Sequence, residues 1–238
     1  CPYVTENLIL LGEGNNIIGL TLEDEEEYKK GKEIIGSMLQ PNIEKIVFLK
    51  PDIVIASKEG NRQESVLKLN QLGIKTLVLS ELFSINDIFK NFIQLSEITG
   101  KKKKGEEIVK KAKKKLKNLK CKKRKSVFFV LGWKPLITTG KNTFINEIIK
   151  LSGGENIFGS IEKKWIQVNI EEVVKSNPDV IIYIEMGENF DQYLKYLNNV
   201  KAVKENKILE IEQYKIASPT PKSIVDVCIK INKFINEN

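Results

Sequence analysis

Two stretches decide how this chain reads: "NIEKIVFLKPDIVIAS" at 42–57 and "NIEEVVKSNPDVIIYI" at 169–184. In each, Asn-Ile-Glu opens a short amphipathic run and Pro-Asp follows seven residues after the glutamate. An apolar, β-branched run then closes each copy. Aligned, the pairs are Asn42/Asn169, Glu44/Glu171, Val47/Val174, Pro51/Pro178 and Asp52/Asp179. Local physics accounts for much of this. Asn caps a helix start, an acid in the first turn suits the helix dipole, and Pro-Asp stops the helix where a strand begins. Either α/β grammar has been written twice, or Glu44 and Glu171 are a matched pair with a job.

Working outward, apolar runs bounded by turn signals recur as "NNIIGL", "DIVIAS", "KTLVLS", "SVFFVLG", "DVIIYIE" and "KILEIE". Helical patterns lie between them, such as "NRQESVLKLNQLG" and "SINDIFKNFIQLSEITG", each ending in a glycine C-cap signal. Strands alternating with helices imply βαβ units and mainly parallel, buried strands. Residues 101–120 place Ile108, Val109, Ala112, Leu116 and Leu119 on one helical stripe, with lysine elsewhere. The predicted architecture is α/β: two Rossmann-like lobes, 1–99 and 122–238, joined by one long rigid backbone helix over 100–121 that allows only small lobe motions.

With 238 residues, 41% apolar and 29% charged, the composition is that of a globular protein. There is no histidine, which excludes His-based acid/base chemistry, Ser-His triads and the usual zinc ligand sets. Cys1, Cys121 and Cys228 are too scattered to form a disulfide framework or a CxxC site. The net charge of +8 is local: residues 101–125 carry +13 and the remainder −5. A nucleic-acid groove draws its charge from several elements, so this segment reads as a solvated helix face. No membrane span or signal peptide is evident, and any export signal is expected to have been removed ahead of this numbering.

In two-lobe α/β proteins ligands bind between the lobes, at the carboxyl ends of strands. That rule selects Ser57, Lys58 and Glu59, then Trp133 and Lys134, then Met186 and Gly187, and finally Gln213 and Tyr214. Enzymatic signatures are missing. "LSGGEN" at 151–156 lacks the Walker ending, and no GxGxxG or nucleophile elbow occurs. An enzyme, or a ligand sensor on the same fold, is the remote alternative.

The ordered series of motifs resembles one family, the substrate-binding proteins of ABC importers for ferric siderophores, haem and cobalamin. "CPYVTENLILLG", "NNIIGLT", "PNIEKIVFLKPDIVIA", "QLGIKTLVLSE" and "ASPTPKS" each have a counterpart there. Residues 127–158 and 165–184 are especially similar to its cobalamin-binding members. The resemblance covers essentially the whole chain. It implies an extracytoplasmic or periplasmic monomer, free or lipid-anchored, with no intrinsic cofactor and no nucleic-acid partner. Such a protein delivers a cobalamin-like or other metal chelate to a permease dimer, with a ferric siderophore or haem as alternative ligand.

Several residue roles follow from the resemblance alone. Glu44 and Glu171 would dock into arginine pockets on the two membrane subunits. Tyr3, Met38 and Trp165 join the ligand residues, with Trp165 stacking on the ligand. Leu22 and Met38 stand where cobalamin-type pockets have aromatics. For an anionic siderophore the evident cations are Lys58 and Lys134, and a haem iron would fall to Tyr3, Tyr214 or a methionine. The family also has a strand ahead of the position of Cys1, so Cys1 reads as a core position rather than a lipid site.

Overall fold

The computed structural model describes residues 1–185 and 190–236, so Met186 and Gly187 lie outside the described residues. The chain divides into two compact α/β units. The first gathers residues 1–82, 86–109 and 217–220. The second takes 83–85, 110–216 and the helix that starts at Pro221.

In the first unit, helix α1 (Pro2–Leu11) has proline in its first turn and ends at Gly12, whose φ of 86° is left-handed. The Thr5 and Thr21 hydroxyls and the Thr21 N–H all donate to the buried carboxylate of Asp24, which ties α1 to strand β1 (Gly19–Leu20). Then come β2 (Glu33–Ile34), α2 (Ile43–Leu49), β3 (Val54–Ser57), α3 (Gln63–Gln71) and β4 (Thr76–Leu79). β1 pairs with β2 and β3 with β4, both in parallel. The two pairs form separate sheets, and a cavity of about 560 Å³ opens onto Leu20 of β1 and Ile55 of β3, with Leu8, Ile46 and Leu69 also lining it.

Helix α4 (Ile85–Ile98) and helix α5 (Lys102–Lys117) meet at Gly100. The lysine-rich helix therefore runs for 16 residues, fewer than the 20-residue stripe suggested. Its last turn tightens, with the Leu119 N–H reaching the Leu116 carbonyl at 3.2 Å. Val109, Ala112 and Leu116 are buried as expected, and so is Gly105, which the apolar pattern overlooked. A Cβ on Gly105 would stand 2.3 Å from the Ser96 hydroxyl of α4, so only glycine permits this approach. The lysines of α5 are exposed, a solvated face as read from the sequence.

The second unit runs β5 (Lys125–Val130), β6 (Gly132–Trp133), β7 (Leu136–Thr139), α6 (Phe144–Leu151), β8 (Gly154–Asn156), β9 (Trp165–Gln167), α7 (Ile170–Ser176), β10 (Val180–Ile184), β11 (Ile208–Ile211) and α8 (Pro221–Asn236). Its main sheet is wholly parallel, in the order β11-β10-β5-β8. Val127, Phe128, Phe129 and Val130 are all fully buried, the signature of a strand covered on both faces. Ile145, Ile148 and Ile149 of α6 and Ile224, Cys228 and Ile231 of α8 are buried with them. A second sheet, β6-β7-β9, is antiparallel and was not anticipated. Lys134 and Pro135 make the two-residue connection between β6 and β7, short enough only for an antiparallel hairpin. The three cysteines are unpaired, and burial pushes the Cys228 thiol up to about 12.

Candidate functional site

The two copies of the opening motif fold alike. Asn42 Oδ1 accepts the Lys45 N–H at 2.9 Å and caps α2; Asn169 Oδ1 accepts the Glu172 N–H at 2.8 Å and caps α7. In the second copy Glu172 returns a bond to the Asn169 N–H at 2.9 Å, completing a capping box. Both helices end on a left-handed residue, Lys50 (φ 47°) and Asn177 (φ 44°). Burial repeats as well: Ile46 and Val173 point inward, while Glu44, Val47, Glu171 and Val174 are exposed. Glu44 and Glu171 are thus left out of the caps. The two copies differ one residue further on, where Phe48, 82% exposed, aligns with Lys175.

In the first unit, the loop after β3 gathers several of the sequence-selected residues. The Glu59 N–H donates to Ser57 Oγ, and Asn61 bridges the Ser57 N–H and the Met38 carbonyl at 2.8 Å each. Met38 lies over Gly60, whose added Cβ would come 2.9 Å from the Met38 methyl. Tyr3 reaches the same place from α1. Its ring is 6% exposed, and its hydroxyl has no partner in hydrogen-bonding geometry among the described residues. Burial pushes that phenol up to about 12, opposed by the nearby Ser57 and Asn91 side chains. Lys58 and Glu59 are exposed at the rim.

In the second unit, the antiparallel sheet carries both tryptophans, on its outer strands β6 and β9. Trp133, a sequence candidate for ligand contact, belongs to the buried apolar cluster of this unit. It is 5% exposed, with ring centroids of Phe190 and Tyr193 at 5.0 and 5.9 Å. Trp165 is 47% exposed, and Lys134 also faces water. Tyr214 is exposed on a short helix (Gln213–Ala217) after β11, at the carboxyl end of that strand as expected. Sequence reading missed Phe83 and Lys164. The Lys164 ammonium lies 4.8 Å from the centroid of the exposed Phe83 ring and 5.7 Å from that of Trp165. Phe83 follows β4 by four residues, so the strand-end rule would have selected it had "KTLVLS" been treated like the other strands.

Exposed aromatic faces, thioethers and cations are groups that can hold a ligand by contact and charge. Among the described residues no helix is long and apolar enough to cross a membrane.

A family model described as periplasmic binding protein matches residues 2–214. An ABC transporter substrate-binding lipoprotein of Bacillus subtilis, YvrC, is 30% identical over 243 residues, covering 95% of this chain and 75% of its own length. The vitamin B12-binding protein of Vibrio parahaemolyticus is 28% identical, covering 95% of this chain and 86% of its own. Among solved structures, the periplasmic haem-binding protein HutB of Vibrio cholerae superposes with a TM-score of 0.87 over 98% of this chain and 96% of that one. At 17% identity that likeness speaks to fold alone.

Proposed function

Because the chain belongs to the periplasmic binding protein family, we propose that it captures a corrinoid-type metal chelate outside the cytoplasmic membrane and hands it to the permease dimer of an ABC importer. The observation that carries this reading is the duplicated helix start. One exposed glutamate per unit, unused by the cap beside it, suits a two-fold symmetric partner offering two equivalent basic sites. Carboxylate–arginine pairs are directional and charge-assisted, and charges at a rim speed encounter and set orientation.

The ligand residues we assign are Tyr3, Met38, Ser57 and Lys58 in the first unit, and Lys134, Trp165 and Tyr214 in the second. Trp133 backs this set from the core. Trp165 supplies a stacking face in the second unit, and Met38, seated on Gly60, supplies an adaptable thioether in the first. The protein carries no catalytic role in this reading, and its metal arrives inside the ligand.

Haem is the second reading. With no histidine in the chain, its iron would take a tyrosine or a methionine. Tyr214 is the exposed candidate, whereas Tyr3 is buried and held protonated. Titration of the purified protein with cyanocobalamin, haemin and ferrichrome, followed in the visible spectrum, tests the assignment. A saturable spectral change with cyanocobalamin supports the corrinoid, and one with haemin alone supports haem. No saturable change with any of the three refutes chelate capture.

A further inference from the structure

Phe83, Lys164 and Trp165 form a side-chain cluster in the second unit whose ligand class rests on the chelate-binding reading. The Lys164 ammonium is placed against both rings, at 4.8 and 5.7 Å from their centroids. Lys164 is half-buried, and each ring keeps nearly half of its surface in water.

Thr139, which pairs with Trp165 across β7 and β9, belongs to a buried, internally bonded polar network. The Thr139 and Thr143 hydroxyls bond each other at 2.5 Å. Asn156 Nδ2 donates to the Thr139 carbonyl at 2.9 Å, and Asn146 Nδ2 to the Lys141 carbonyl at 3.0 Å. This network holds the turn at Gly140, which in turn holds the loop carrying Lys164. The Gly140 N–H donates to the Lys164 carbonyl and the Lys141 N–H to the Ile161 carbonyl. A Cβ on Gly140 would stand 2.0 Å from the Lys163 carbonyl oxygen, so the loop lies flush on a glycine. On the other side, the Ile85 N–H donates to Glu147 Oε2 of α6 at 2.8 Å, fixing the segment that presents Phe83. Buried networks satisfied in this way rigidify what they carry. Exposed rings held rigid have already given up the ordering entropy that binding would otherwise cost.

We propose that this cluster recognises the ionised side group of a flat conjugated chelate, with Lys164 pairing the anion and the ligand's ring packing on Phe83 and Trp165. An ammonium half-withdrawn from water and held on ring faces meets an incoming anion in a lower local dielectric than bulk water. The rings beside it offer flat faces to a conjugated plane. A carboxylate or a phosphodiester satisfies this chemistry; haem carries the first on its propionates, and cobalamin the second in its nucleotide arm.

The test compares wild type, Lys164→Met and Lys164→Arg against two matched pairs: haemin with haemin dimethyl ester, and cyanocobalamin with cyanocobinamide, which lacks the phosphodiester. For a pair that wild type binds, Lys164→Met is expected to weaken the anionic member about tenfold and to leave the other within about twofold. Lys164→Arg should restore most of the affinity. Equal weakening of both members, or no weakening while the melting temperature is unchanged, overturns the assignment and leaves chelate capture standing. If wild type binds none of the four, chelate capture itself fails and takes this assignment with it.

Discussion

Asp52 and Asp179 occupy the same place in the two copies of the motif, yet the fold uses them differently. Asp52 is exposed. Asp179 accepts the Ser126 N–H at 2.9 Å and the Ser126 hydroxyl at 2.8 Å, and pairs with Lys201 at 2.6 Å. Burial opposes its charge, but the bonds from Lys201 and Ser126 overcome it and hold the carboxyl at about 2, below the ordinary 3.8. A depressed folded value means the stabilisation is complete above the ordinary value and is lost as pH falls through about 2. Asp179→Asn should therefore cost about 1–3 kcal/mol at neutral pH. Its melting temperature should also fall less steeply than that of wild type between pH 4 and 2, as thermal circular dichroism would show. An equal slope in both proteins would contradict this. Pro-Asp was legible in sequence as helix-to-strand grammar. The added role of Asp179 was not, because Ser126 and Lys201 are brought to it only by the parallel pairing of β10 with β5 and by the short helix (Lys201–Lys204) ahead of β11. The packing of Trp133 was illegible for a similar reason, since its ring partners Phe190 and Tyr193 are distant in sequence.

At the scale of elements, alternation of apolar runs with helical patterns was enough to read the parallel strands, since strands buried on both faces are apolar throughout. The antiparallel ribbon escaped because its strands are two to four residues long, too short for a periodicity, and β9 joins β7 from a distant stretch of chain. The caps, by contrast, were read correctly from Asn-Ile-Glu alone. Asn169→Ala removes one arm of a capping box and should destabilise the second unit by about 1 kcal/mol in urea unfolding. Glu171→Ala, whose carboxylate takes no part in the cap, should leave the same curve nearly unmoved. A loss from Glu171→Ala as large as that from Asn169→Ala would mean that the glutamate serves the helix after all. Gly105→Ala forces a methyl group against Ser96 and should loosen the packing of α5 on α4, visible as a lower melting temperature.

For the whole molecule, family and receptor role were legible because the motifs come in a fixed order along the entire chain. The identity of the ligand was not, because it depends on which side chains converge from separate elements. Receptor function separates into capture and delivery, and the two should be separable by mutation. Glu44→Ala with Glu171→Ala is expected to leave chelate affinity unchanged while cutting uptake of that chelate by cells that express the cognate importer; unchanged uptake would contradict the docking assignment. Capture is tested most directly by fluorescence titration of Trp133→Phe, in which Trp165 is the sole tryptophan. We expect cyanocobalamin to quench Trp165 saturably at one equivalent per chain, because a corrin ring on its exposed face accepts its excitation. Emission that stays constant, or that declines linearly without saturating, would contradict capture of a corrinoid at Trp165.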